Sequence, residues 1–165
     1  MRITREVEFT ATPDQVYAML ADPAFHEQVA ADSDAVTSSV TVEPDGDTLV
    51  TELSRELSTE GMSLPSILSA STLTVRTTQR WGAADASGRR TGTLEVQVVG
   101  TPLTFQGDLV LEPGGAGTRE SIDGELRANV PLVGKKIEQA AAPAIEAGMR
   151  AEHRTGERYL AEHAG

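Results

Sequence analysis

"ANVPLVGKKIEQAAAPAIEAGM", residues 128–149, is the stretch on which the fold turns. Its first three residues end a strand-like segment, Pro131 turns a corner, and a helical pattern begins at once. Ile137, Ala141, Ala144, Ile145, Gly148 and Met149 fall on one stripe at helical spacing, and Gly156, Tyr159 and Leu160 extend it. A helix face turned toward a core ordinarily carries large apolar side chains. Ala and Gly fill the middle of this one, so either another backbone comes very close or nothing occupies the space. The second alternative describes a helix laid over a curved sheet with a cavity between them.

The helical run extends from Val133 to about His163. Pro143 is expected to kink it, because proline has no amide hydrogen and its ring meets the carbonyl four residues back. Upstream, "LTFQGDLVLEP" and "TRESIDGELRANV" flank "GGAG", "TLTVRTTQRW" and "GTLEVQVVG" flank "GAADASGRR", and "AVTSSVTVE" and "TLVTELSREL" flank Pro44–Asp47. Strands joined by short turn-rich links pair as antiparallel hairpins. At the other end, "RITREVEF" alternates Ile3, Val7 and Phe9 with polar residues, another half-buried strand. Thr12, Pro13 and Gln15 then give a capping box and a helix start. Asp22-Pro23 breaks that helix, and "PAFHEQVAAD" supplies a second short one. The expected class is α+β, with about seven antiparallel strands, two short helices after the first strand and a long C-terminal helix. No repeat, low-complexity tract or linker divides the chain, so residues 1–165 are expected to form a single domain.

Bulk properties narrow the partners. The formal net charge is -11, with twelve Arg but only two Lys, which argues against binding a phosphate backbone. No apolar run approaches the roughly 18 residues of a membrane helix, so no integral membrane association is expected. No apolar leader precedes "RITREVEF", so no signal peptide and a cytoplasmic location are expected. The chain has no Cys, which removes disulfides, thiolate metal sites and a cysteine nucleophile. His26, His153 and His163 are scattered. His153 and Glu157 share helical spacing, but two ligands do not make a metal site. "GGAG" lacks the Lys-Ser/Thr of a phosphate loop and reads as a hairpin turn. No metal and no cofactor are expected. The oligomeric state leaves no mark in the sequence.

The order of strand, two short helices, six strands and long helix resembles the helix-grip fold of the START-like, or Bet v 1-like, superfamily (SRPBCC). That superfamily includes lipid-transfer domains, polyketide cyclases and plant allergens. More narrowly, "RWGAADASGRRTGTLEVQVVGTPLTFQGDLVLEPGGAGT" and "VPLVGKKIEQ" are similar to a bacterial family, mostly actinobacterial, known as a domain of unknown function. The resemblance covers essentially the whole chain. It implies a curved sheet wrapped around the last helix and an internal cavity. It implies no reaction, because the superfamily has no universal catalytic motif.

Four polar residues stand on faces that otherwise read as apolar. Arg5 lies among Ile3, Val7 and Phe9, Arg55 between Leu53 and Leu57, Gln79 between Thr77 and Trp81, and Glu120 ahead of Ile122 and Leu126. Unpaired buried charge is costly. These groups therefore either line a polar end of a cavity or sit near strand ends, where long stems reach water. If the first and last strands are neighbours, Arg5 and Glu120 are expected to pair. Trp81, Phe105, Ile137, Ile145 and Met149 are the expected cavity wall. In "GMSLPSILSAST", Leu64 and Leu68 are the expected gate, with Pro65 opening a short helical turn; the bland reading is a segment packed on the core's edge. Lys135 and Lys136, at the start of the long helix, mark either an anion site or a solvated face.

The function expected from these features is binding or transport of a small hydrophobic or amphipathic molecule, of lipid, isoprenoid or polyketide-like kind. Two alternatives remain open at this level. One is a cyclase or aromatase using the inward polar groups; the other is a non-catalytic interaction module acting through its surface.

Overall fold

A computed structural model describes residues 1–164. The chain runs β1 (Arg2–Phe9), α1 (Pro13–Leu20), α2 (Pro23–Asp32), β2 (Thr37–Asp45), β3 (Thr48–Ser58), β4 (Thr72–Trp81), β5 (Arg90–Val98), β6 (Leu103–Gly114), β7 (Gly117–Ala128) and α3 (Gly134–His163). All seven strands form one sheet in the order β1-β7-β6-β5-β4-β3-β2, and every pairing is antiparallel. From β2 to β7 consecutive strands are neighbours, and β1, which the two short helices separate from β2 in the chain, lies beside β7 at the other edge. The sheet curves around α3, which is the helix-grip arrangement.

The starts of the two short helices are built locally, by side-chain caps. At α1 the Thr12 amide donates to Gln15 Oε1 at 2.9 Å and the Gln15 amide donates to Thr12 Oγ1 at 3.2 Å, the reciprocal capping box that the sequence predicted. At α2 Asp22 caps the Ala24 amide at 2.9 Å. Val16, Met19, Leu20 and Phe25 are all buried and plug one end of the sheet. α3 is fastened to this plug by Thr155 Oγ1 donating to Asp32 at 2.7 Å and by the Tyr159 hydroxyl donating to Asp22. Desolvation and the Asp22 carboxylate push the Tyr159 hydroxyl's pKa up to about 12. α3 is assigned as one continuous helix with Pro143 inside it.

The corner at Pro131 is tighter than its sequence implies. The Val133 amide donates to the Pro131 carbonyl at 2.9 Å, and Leu132 between them takes φ of 69°. This is a γ-turn of the rare, strained hand, and it leaves the Leu132 side chain fully in solvent.

Glycines explain where two large rings of the sheet, Trp81 and Phe105, went. Gly107 and Gly124 face each other across β6 and β7, and a Cβ on Gly124 would lie 2.5 Å from Phe105 Cζ. A Cβ on Gly92 would lie 3.1 Å from Trp81 Cε3. Each aromatic ring thus lies over a glycine of the strand next to it, filling the space a side chain would take. Trp81 and Phe105 are both fully buried.

Candidate functional site

A cavity of about 330 Å³ lies between α3 and the inner face of the sheet. Leu53 and Leu57 of β3, Leu73 and Val75 of β4 and Val96 of β5 form its floor; Ala141, Ala144, Ile145, Gly148 and Met149 of α3 form its roof. Leu57, Leu73, Val75 and Val96 remain partly accessible although they face the helix, because the cavity leaves part of each side chain uncovered. Gly148 is exposed and a Cβ added there would meet no heavy atom within 4 Å, so the space beneath α3 opens to solvent at this turn. Two turns further along, the opposite holds. A Cβ on Gly156 would lie 3.1 Å from Phe9 Cε1 and 3.2 Å from Met19 Cε. The small residues of α3 therefore serve both purposes, close approach near the helical plug and open space at mid-helix.

The connection between β3 and β4 borders this space. Met62, Leu64 and Leu68 line it, with Leu68 buried on a single 3-10 turn, Ser66–Leu68, that begins after Pro65. Met62 and Ile67 stay exposed.

Beside the cavity is a polar annex of about 30 Å³, bounded by Arg5, Gln79, Glu120, Glu152 and His153 together with apolar neighbours such as Phe9 and Met149. The volume is close to one water's share of liquid, ~30 Å³. Gln79 Nε2 donates to Glu152 at 3.0 Å, and the Trp81 indole donates to Gln79 Oε1 at 3.0 Å. Burial pushes the Glu120 carboxyl up to about 8; the Glu152 carboxylate adds to the rise and Arg5 opposes it. At neutral pH Glu120 is thus mostly the uncharged acid, which relieves the cost of two carboxylates in one small space. Burial pulls the Arg55 guanidinium below its ordinary value, with Glu152 opposing.

The expected site residues fall into three groups. Arg55, Leu64, Leu68, Ile145 and Met149 line the large cavity. Arg5, Gln79 and Glu120 meet at the annex, which Met149 also borders. Trp81, Phe105 and Ile137 lie outside both linings, a correction to the expected wall. The rings are spent over Gly92 and Gly124, and Ile137 is buried in the core one turn before Ala141. The Arg5–Glu120 pair also needs correcting. β1 and β7 are neighbours, but Arg5 stands opposite Ile122 and Glu120 opposite Val7, so the two are diagonal and act on each other only through the annex. His153 is held by the Glu8 carbonyl, with 2.9 Å between Nε2 and oxygen.

Glu152 escaped the sequence reading, although it borders both spaces. The signal was present: it lies four residues after Gly148 and four before Gly156, on the small-residue stripe itself.

On the opposite face of the sheet is a wider open depression of about 770 Å³, lined by charged residues including Glu52, Arg76, Asp108 and Asp123. Arg76 pairs there with Glu52 at 3.7 Å, as expected of a solvated surface. Among the described residues no three His, Asp or Glu side chains are grouped to hold a metal ion, and no helix is long and apolar enough to cross a membrane.

The architecture is that of the Bet v 1-like helix-grip fold. The chain belongs to the family described as "Protein of unknown function (DUF2505)", which it matches over residues 4–160. No curated protein matches it in sequence. Solved structures share its fold at low identity. The Zhui aromatase/cyclase from Streptomyces sp. R1128 is 11% identical with a TM-score of 0.62, covering 100% of this chain and 96% of that one. Ara h 8.0201 is 13% identical with a TM-score of 0.57, covering 98% of each. A point mutant of norcoclaurine synthase from Thalictrum flavum, bound to a transition-state analogue, is 11% identical with a TM-score of 0.55, covering 100% and 96%.

Proposed function

We propose that this protein binds or carries a small hydrophobic or amphipathic molecule, of lipid, isoprenoid or polyketide-like kind, in the cavity beneath α3. The observation that carries this is the apolar cavity of about 330 Å³ between α3 and the inner face of the sheet, on whose floor Leu57, Leu73, Val75 and Val96 remain partly accessible. This largely apolar-walled space opens to solvent beside the exposed Ala144, Ala147 and Gly148, so its empty state leaves apolar surface in contact with water, which is unfavourable. A ligand offsets that cost by burying its own apolar area at roughly 25 cal/mol per Å². In this reading Arg55 and Glu152 orient the ligand, and Leu64 and Leu68 gate it.

A second reading, an enzyme of the aromatase/cyclase kind, draws on Glu120, a carboxyl held protonated near neutrality and so fit to act as an acid. Glu120 borders the annex and not the larger space, so carriage is the better supported of the two. Native mass spectrometry of protein purified from its own host tests the first reading. The expected result is a co-purifying small molecule that solvent extraction releases. Bare protein throughout, with no uptake of any apolar probe, contradicts it.

A further inference from the structure

Of the three arginines with a buried Nε that lacks a hydrogen-bond partner, Arg55, Arg90 and Arg119, Arg55 is the one that borders the cavity. Five arginines of the outer surface are paired: Arg2 with Asp123, Arg76 with Glu52, Arg89 with Glu112, Arg119 with Glu6 and Arg158 with Asp32; Arg127, Arg150 and Arg154 are exposed and solvated. Arg55 stands on the inner face, between Leu53 and Leu57 and opposite Val75, and borders the cavity. Its Nε is buried without a hydrogen-bond partner. Among the described residues no carboxylate comes within the 4.0 Å of an ion pair. Glu152 acts on it only from further off and is already occupied by the Gln79 amide.

A guanidinium stays charged at any ordinary pH and presents donors in a planar fork that matches two oxygens of an anion. In apolar surroundings an unmet charge is costly, and a charge-assisted hydrogen bond is worth more than in water. Replacing Arg55 by a leucine-like side chain would have completed the wall. Its place there makes sense if its partner arrives with the ligand.

We propose that the ligand of this cavity is an amphipathic acid, whose carboxylate or similar anionic oxygen pairs with Arg55 while its apolar part lies under α3 against Val75, Val96 and Gly148. This rests on the cavity being the binding site. Polar balance favours it: Arg5 borders the annex and Arg55 the adjoining cavity, and with Glu120 uncharged Glu152 is the single carboxylate lining either space that is left to oppose them. A neutral alcohol of equal size would fill the same volume and leave the guanidinium without a counter-charge.

The test uses two probes of equal chain length, decanoate and decanol, titrated calorimetrically into the full chain and into Arg55→Met and Arg55→Lys variants. The expected result is a preference for decanoate of about tenfold or more in the natural protein, the scale of one charge-assisted contact. Arg55→Met is expected to erase that preference while keeping decanol affinity, and Arg55→Lys to retain part of it. Equal affinity for the two probes, or a preference that survives Arg55→Met, overturns the inference and leaves the apolar cavity standing. Binding of neither probe overturns both the inference and the carrier reading. If Arg55→Met fails to fold, the natural protein's preference and the Arg55→Lys variant still decide.

Discussion

Gln79 joins the sheet to the helix: its amide donates to Glu152 on α3 and its carbonyl accepts from the Trp81 indole, each at 3.0 Å. One side chain therefore satisfies a buried indole and a carboxylate at once. Gln79→Leu removes both contacts and leaves both groups unpaired. Since an orphaned buried donor costs about 1–3 kcal/mol, urea unfolding followed by the single tryptophan should show a loss of about 2 kcal/mol or more. A change below about 0.5 kcal/mol, the range of ordinary surface substitutions, would mean that the link carries little.

Glu120 makes stability depend on pH in a direction opposite to that of most carboxylates. Its folded pKa, about 8, lies above its ordinary 4.5, so the fold favours the protonated form. That contribution is complete below about pH 4.5 and is lost as pH rises through about 8, with a slope of at most ~1.4 kcal/mol per unit. Glu120→Gln keeps the neutral shape and removes the proton. The natural protein should therefore lose stability relative to Glu120→Gln between these limits. Asp22, Asp32 and Glu138, held below their ordinary values by hydrogen bonds, lose their contribution in acid in both proteins, so they cancel in the comparison. Parallel pH profiles would contradict the assignment.

Leu132 holds φ of 69° with its side chain fully exposed. Glycine adopts that conformation without strain, and no packing is lost in the exchange. Leu132→Gly should gain up to about 1 kcal/mol, a rise of roughly 2–4 °C in Tm for a chain of this size. Val133, with φ of -113°, is the control: Val133→Gly should give no such gain.

If the β3–β4 connection is a gate, hydrogen exchange across residues 59–71 should slow when decanoate is bound, while exchange in α1 is unchanged. Equal protection with and without the probe would make this segment a fixed part of the wall.

The fold was legible because its signals are local. Alternation marked the strands, turn residues marked the hairpins, and the Thr12–Gln15 box and Pro143-bearing stripe marked the helices. The site was less so. Trp81 and Phe105 point inward as alternation predicts, but no one-dimensional pattern shows that Gly92 and Gly124 lie beneath them and absorb their bulk. Glu152 was hidden for a related reason: a single acidic residue on a long exposed helix looks solvated until Gln79, distant in sequence, is placed against it. Arg55 was found because it interrupts an apolar row.

The central claim is that α3 and the sheet do not meet at Gly148. Gly148→Phe places a ring where a Cβ meets nothing within 4 Å, in a helix that gains about 1 kcal/mol on losing a glycine. Binding of an anilinonaphthalene sulfonate probe should fall by about tenfold or more, with the folded state at least as stable as before. Unchanged probe binding by a folded Gly148→Phe variant, or a variant that unfolds because the ring has no room, would contradict the account.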